Sequence, residues 1–415
     1  MAATPSQMRR LSDPPAPLLA VLSNDLLADI LIRLPTLADL GRASTVCVAF
    51  RRVISDHSFL GRLRALHPLP LLGIMSISFI PAEPPHPCAT LARAITPAAA
   101  VDFWCSFVPS RDRWDYIDFR DGRVFLAAVP EGRGVRPCDF NPRTLIREFA
   151  ACDPLHHRYI MLPTIPEYLT ALVNQPEIVR FSPFLAPSDE DVGGTSFRVI
   201  CLVQCQTNLV LFIFSSIGGS WHAAEFDVWR ALAAESSNPA PGFLPDLNRP
   251  DYAHGCFCWV MDWSHQLLVL DMGTMEFSAV DIPQINPLHR RGIAEAGGGK
   301  FGTYTLHFNM EYEYALLYTT LQNDGKGTTS LESEAFIPLP SDYRYIITGV
   351  AGGYLLLQGI PENLHSFSTS ERPNIDFFSL NLKTFQIEWF CQTQNMIISA
   401  PLYVGFPPSL SAPTI

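Results

Sequence analysis

At 415 residues, 48% hydrophobic and 17% charged, the chain is too apolar for a disordered polymer and long enough for a large core and more than one domain. Twenty-nine Lys and Arg against 40 Asp and Glu leave a net charge of −11, which opposes non-specific attraction to nucleic acid or to an anionic membrane. The charge is uneven: residues 1–66 hold eight Arg and five Asp, a balance of +3, leaving about −14 elsewhere, so two parts with different tasks are expected.

Residues 1–20, with Pro5, Pro14, Pro15 and Pro17, read as a flexible leader. Arg9 and Arg10 precede only a short apolar stretch with no small-x-small cleavage site, so no signal peptide is expected. Residues 21–67 then read as a compact helical module. Leu26, Leu27, Ile30, Leu31 and Leu34 fall at i, i+1, i+4, i+5 and i+8 of a helix that Ser23 or Asn24 caps and Pro35 ends. Thr36 and Asp39 form a capping-box pattern for a second helix carrying Leu37 and Leu40. A third, around residues 45–54, carries Val46, Phe50, Val53 and Ile54, and a fourth, after Ser55-Asp56, carries Phe59, Leu60 and Leu63. A module of about 45 residues cannot bury two faces of each helix by itself, so its excess apolar surface is expected to meet a partner.

From residue 70 to 415 the texture changes to short apolar or alternating runs between Gly, Pro, Asn and Asp. The segments 122–129, 196–203, 208–216, 266–272, 314–321 and 354–359 read as strands of an all-β domain, with loop-like breaks at 183–194 and 236–250. The apolar stretch at 69–80 is broken by Pro70, Gly73 and two serines, short of the ~20 residues a membrane helix requires.

A repeat runs through this region. Asp153, Ser215, Asp271 and Asn381 each stand at a turn six residues before Tyr159, Trp221, Phe277 and Ile387, at intervals of 62, 56 and 110 residues. The last interval is twice 55 and places a missing member near residue 326, inside the hairpin-like 322–327. A period of roughly 50 built from hairpins fits a kelch-type β-propeller of six or seven blades, and a pair of β-sandwiches is the alternative. The fold class expected is therefore multidomain α+β, a small helical module followed by an all-β, propeller-like domain.

Sites for chemistry are scarce. The run at 297–300 lacks the leading glycine and the final hydroxyl of a phosphate-binding loop, and no G-x-S-x-G or H-E-x-x-H occurs. Cys201 with Cys205 and Cys256 with Cys258 share strand faces but lack zinc-type partners, and are expected in the core. His86, among prolines, and His156-His157, in a turn, read as solvated loop residues; Asp189-Glu190-Asp191 reads as an acidic loop. Trp221, Trp229, Trp259, Trp263 and Trp389 are expected mostly between blades. No catalytic residue, metal or cofactor is expected. Ten cysteines without a disulfide-like framework, and no Asn-x-Ser/Thr acceptor, point to the cytoplasm or nucleus.

Residues 21–65 resemble the F-box. The stretch from Leu22 through Asp25-Leu26-Leu27, Ile30-Leu31 and Arg33-Leu34-Pro35, then Leu40-Gly41-Arg42-Ala43, Val46-Cys47 with Phe50-Arg51, and Asp56 with Phe59-Leu60, follows that family's pattern in order. Ser23 stands where the family has proline and Phe50 where it has tryptophan. The remainder is similar in style to the plant, grass-type F-box proteins with a C-terminal β domain. The resemblance implies a non-catalytic substrate receptor. Its F-box docks on a Skp-type adaptor, and through it on cullin and RING subunits, while the β domain holds an unknown protein substrate. It places Leu22, Leu26, Leu27, Ile30, Leu31, Leu34, Pro35, Leu40, Val46 and Phe50 at the adaptor contact. An adaptor-associated scaffold that does not drive degradation is the alternative, and an enzyme with its site at the propeller centre is a third reading.

Overall fold

In a computed structural model the chain divides into two compact units, Met1–His67 and Pro68–Ile415. The structure describes residues 22–34, 37–54, 70–75, 78–95, 102–128, 145–187, 196–227, 250–261, 266–282, 291–296, 300–308, 314–323, 329–361, 374–397 and 401–405, together with 56, 58, 59, 62, 63, 143 and 247. The acidic run 189–191, Trp229, Trp263 and the hairpin tip 324–328 lie outside them.

The first unit holds α1 (Asn24–Leu31), α2 (Leu37–Val46) and α3 (Val48–Ile54), with residues 58–59 and 62–63 also helical. Ser23, in extended conformation, caps α1: its Oγ accepts from the Leu26 N–H at 3.3 Å. Asp56 plays the same part for the last helical stretch, accepting from the Ser58 amide at 2.9 Å.

The second unit is a six-bladed β-propeller. Five blades are four-stranded antiparallel meanders in sequence order. They are β3 (Trp114–Arg120), β4 (Arg123–Ala128), β5 (Phe149–Asp153) and β6 (Arg158–Met161); β7 (Ile178–Ala186), β8 (Arg198–Cys205), β9 (Leu209–Ser215) and β10 (Ser220–Phe226); β11 (Asp251–Ala253), β12 (Cys256–Met261), β13 (Gln266–Asp271) and β14 (Phe277–Asp281); β15 (Arg291–Ala296), β16 (Lys300–Phe308), β17 (Tyr314–Asn323) and β18 (Thr329–Pro338); β19 (Tyr343–Ala351), β20 (Tyr354–Pro361), β21 (Ile375–Asn381) and β22 (Ile387–Thr393). The sixth joins the two ends of the unit: β23 (Leu402–Val404) pairs with β1 (Leu71–Met75), which pairs with β2 (Phe79–Pro81).

Packing between blades closes the ring and excludes the sandwich alternative. Each pair of consecutive blades shares one apolar cluster. Phe149 and Phe212 meet between the first and second, Phe184 and Trp259 between the second and third, and Cys258 and Ile293 between the third and fourth. Tyr304 and Phe378 meet between the fourth and fifth, Phe377 and Val404 between the fifth and sixth, and Tyr403 and Phe119 between the sixth and first. A blade covered on both faces needs apolar residues at successive positions, and β4, β5 and β12 are accordingly buried along nearly their whole length.

The sequence repeat is the turn between the third and fourth strands of a blade. Asp153 Oδ1 accepts from the amides of Leu155 and His156, Asp271 Oδ1 from Gly273 and Thr274, and Asn381 Oδ1 from Lys383 and Thr384. The fourth residue after each turn position is left-handed: His157, Gly219, Met275 and Phe385 have φ of 52°, 63°, 57° and 56°. The side-chain oxygen holds the turn and the left-handed residue returns the chain to the sheet, so the fourth strand starts at a fixed offset. The member expected near 326 corresponds to the β17–β18 hairpin, where Asn323 pairs with Thr329.

Two readings are corrected. The break expected from Pro183 begins too early: Pro183 lies within β7, opposite Cys201. β7 is an edge strand of its sheet, where a missing N–H is tolerated. His86, expected in solvent, is buried. Its Nδ1 accepts from the Cys88 amide at 3.2 Å, its Nε2 lies 3.0 Å from Ser379 Oγ and 3.7 Å from Glu388, and its ring stands edge-on to Phe390. The segment carrying it is pinned to β22 by the Glu83 amide, which donates to the Phe390 carbonyl at 2.8 Å.

Burial holds the His86 imidazole neutral, lowering its pKa from 6.5 to about 4. As pH falls below 6.5 the unfolded chain takes up a proton that the folded chain refuses until about pH 4. Stability present at neutral pH is therefore lost across that window, on the order of 3 kcal/mol at its acid end. Urea titrations from pH 7 to pH 4 are expected to show a steeper loss for the parent than for His86→Gln; parallel profiles would remove His86 as the cause.

Tyr403, on β23, packs among Phe79, Phe103 and Phe119 with ring centroids 4.9–5.6 Å away. Its buried hydroxyl has no hydrogen-bond partner among the described residues. Such a group carries a desolvation penalty of about 1–3 kcal/mol. Tyr403→Phe is expected to raise the unfolding free energy by about 1 kcal/mol, and a comparable loss would mean that the hydroxyl is bonded after all.

Candidate docking face

The leucine pairs of α1 divide between inside and outside. Leu27, Leu31 and Leu40 pack with Ala28, Ile32, Val53, Phe59 and Leu63 into a core made within the helical unit itself. Leu22, Leu34 and Phe50 lie half-buried against that core. Leu26 is 48% exposed, Ile30 50% and Val46 67%, and Val48, which the sequence reading did not single out, is 72% exposed. Pro35 lies outside the described residues.

The residues expected at an adaptor contact thus differ in their exposure. Leu27, Leu31 and Leu40 are spent on the internal core, because α1 must bury one leucine of each adjacent pair against α3 and the last helical stretch. Leu26 and Ile30, one turn apart, remain on an outward surface, and Val46 and Val48 stand exposed at the α2–α3 junction. The signal for Val48 was available in the Val46-Cys47-Val48 alternation at a helix boundary.

Two ion pairs are seen among the described residues of the unit. Arg62 reaches Asp29 of α1 at 2.5 Å across the surface, and Arg42 pairs with Asp39 within α2. Both are exposed, so each adds little stability. If the four exposed apolar side chains were covered by a partner, each would contribute ~1.5–3 kcal/mol in transfer terms before the costs of association.

Cys201 and Cys205 lie in the cluster between the first two blades, Cys256 and Cys258 in that between the third and fourth. Burial raises all four thiol pKa values, that of Cys205 to about 11, so these cysteines stay protonated at neutral pH. Trp221 and Trp259 are buried between blades, while Trp389 is half-buried and donates to Asp376. Tyr343 and Gln392 also donate to that carboxylate, at 2.9 and 3.0 Å. His156-His157 stands in a turn as expected, with His156 Nδ1 2.7 Å from Asp153. Lys300 pairs with Ala296 in the β15–β16 hairpin. Among the described residues no group of three or more His, Cys, Asp or Glu is placed to hold a metal ion, and no helix is long and apolar enough to cross a membrane.

No protein-family model matches the chain, and no curated protein does. Among solved structures it is similar to a post-proline cleaving enzyme from Rickettsia typhi, at 9% identity and a TM-score of 0.33 over 68% of this chain and 37% of that one. It is similar to oligogalacturonate lyase from Vibrio parahaemolyticus, at 10% and 0.30 over 66% and 64%. It is also similar to the NanB sialidase from Streptococcus pneumoniae, at 12% and 0.27 over 60% and 35%. The matches thus span between 35% and 64% of those chains. Likeness at this level says nothing of activity, and the blade count rests on the strand pairing and inter-blade packing above.

Proposed function

We propose that the chain is the substrate-receptor subunit of a Skp–cullin–F-box ubiquitin ligase. Residues 21–67 serve as an F-box that docks on a Skp-type adaptor, and the kelch-like propeller binds the target protein. The observation that carries this reading is the exposed apolar set Leu26, Ile30, Val46 and Val48 on a module in which Leu27, Leu31, Leu40 and Leu63 already form a core. Exposed apolar side chains leave surface for a partner to cover, and the ordered F-box pattern of the same module points to the kind of partner.

The receptor has no chemistry of its own in this reading. Its contribution is proximity: a target held by the propeller and tethered through the adaptor to cullin and RING subunits presents its lysines at high effective concentration. Such complexes work in the cytoplasm and nucleus. The two departures from the family pattern are compatible with a folded module: Ser23 caps α1 and Phe50 packs on the module core.

The test is co-expression of the full chain with a Skp-type adaptor, followed by co-purification and, with cullin and RING subunits added, ubiquitination of a captured target. A bound adaptor without ubiquitin transfer would favour the scaffold. Failure to co-purify would remove both.

A further inference from the structure

Residues 102–110, which lead towards β3, are turns and loop, and they lie against the first blade. The Asp102 amide donates to the Pro154 carbonyl at 3.0 Å, and the Asp102 carboxylate accepts from the amides of Trp104 at 3.0 Å and Ser106 at 2.7 Å. Inward and outward positions alternate along the segment: Phe103, Cys105 and Val108 are buried, while Trp104, Ser106 and Pro109 are exposed. Phe103 stands edge-on to Tyr403 of the closing strand β23, with ring centroids 5.1 Å apart. The segment therefore belongs to the cluster that joins the last blade to the first.

Within that cluster the Cys105 thiol is in hydrogen-bond contact with the thiol of Cys152, both side chains being fully buried. This contact, followed by burial, pushes the Cys152 thiol well above the usual cysteine range, and the charge of nearby Arg111 acts against them. The two sulfurs differ in their support. Cys152 is held in the middle of its blade, paired with Val124 on β4 and Tyr159 on β6. Cys105 sits in the irregular segment with φ +51°, so local opening of a few turns brings it to water while the sheet stays intact. A cysteine freed in this way has a pKa near about 8.5 and is in part thiolate at neutral pH.

We propose that Cys105 and Cys152 are a peroxide-sensitive thiol pair, and that their disulfide locks the cluster that closes the propeller ring. In the opened segment the Cys105 thiolate attacks one oxygen of hydrogen peroxide. The O–O bond breaks, hydroxide leaves and takes up a proton as water, and Cys105 becomes the sulfenic acid. On reclosing, the Cys152 sulfur attacks the sulfenyl sulfur. The S–O bond breaks, and the departing hydroxide leaves as water with the Cys152 proton. Two thiols and one peroxide thus give one disulfide and two waters, the sulfurs being oxidised and the peroxide reduced. The product ties residues 102–108, and with them Phe103 against Tyr403, to the first blade.

The experiment treats the folded full chain with hydrogen peroxide at neutral pH, blocks the remaining thiols with iodoacetamide during denaturation, and maps the digest by mass spectrometry. A link between Cys105 and Cys152 is expected, two hydrogens lighter than the two thiols and reversed by dithiothreitol. Cys152→Ala should leave Cys105 as a sulfenic acid that a dimedone probe labels, whereas Cys105→Ala should leave Cys152 unlabelled. Hydrogen exchange in residues 102–108 and 402–404 should slow at least about tenfold in the oxidised parent. Thermal unfolding of the reduced variants checks that they are folded, and the link in the parent is read without them. A link to another cysteine in place of this one, including Cys138 outside the described residues, would overturn the proposal. So would a link that forms only in denaturant, labelling of Cys152 in Cys105→Ala, or exchange unchanged by oxidation. None of these readouts involves an adaptor, so the receptor reading stands or falls separately.

Discussion

The double variant Leu26→Asp, Ile30→Asp is expected to remain folded and to lose a Skp-type adaptor. Both side chains are about half exposed, so the carboxylates can stay in water in the free protein, where surface changes usually cost within ±0.5 kcal/mol. Leu26 lies in the first turn of α1, where a negative charge is favoured by the helix dipole. In a docked complex the same change removes two apolar contacts worth ~1.5–3 kcal/mol each and buries charge in their place. A loss of ~3–6 kcal/mol is at least about a hundredfold in affinity, enough to abolish co-purification. The companion variant Leu27→Asp, Leu31→Asp reads differently. Both leucines are core residues, so unfolding of the module is expected and loss of adaptor there would prove nothing about the interface. Thermal unfolding of both variants beside the pull-down separates the cases. Retained adaptor in the folded Leu26/Ile30 variant would exclude α1 from the contact.

That contrast marks what could be read from residue order. The positions of α1, α2 and α3 follow from apolar spacing and from Ser23, which is why the helical stretch was legible. Which leucine of each pair faces inward was not. Apolar residues at i, i+1, i+4 and i+5 make a stripe wide enough for either edge to be the core, and Val53, Phe59 and Leu63 decide the matter.

The hairpin repeat was legible because Asp153, Asp271 and Asn381 each fix a turn locally. The blade number was not, because connectors between blades vary in length and the sixth blade is divided between β23 and the β1–β2 hairpin. His86 escaped for a related reason. Its local sequence does describe a loop, and Glu83, Pro84, Pro85 and Pro87 are exposed, but the His86 ring turns inward onto Ser379, 293 residues away, and no local pattern reports such a contact.

Closure of that divided blade is where a small substitution should do the most damage to the propeller. Gly352, in the β19–β20 turn, has φ +59°, and a Cβ built there would lie 2.1 Å from Cγ1 and 3.1 Å from Cβ of Val404. Val404 is buried on the closing strand β23, and a β-branched side chain has little freedom to swing away. Gly352→Ala therefore combines a left-handed penalty of ~1–2 kcal/mol with an overpacking penalty of ~1–3 kcal/mol, about 2–5 kcal/mol in all. The neighbouring Gly353 is an internal control: φ is +83°, but nothing lies within 4 Å of its built Cβ, so Gly353→Ala should carry the backbone penalty alone. The difference between the two variants in urea unfolding isolates the clash with the closing strand. Hydrogen exchange at residues 402–404 should accelerate in Gly352→Ala and not in Gly353→Ala, because the strain is relieved most cheaply by releasing the three-residue β23. Equal destabilisation of the two would mean that the contact yields without cost and that ring closure rests instead on the aromatic packing around Tyr403.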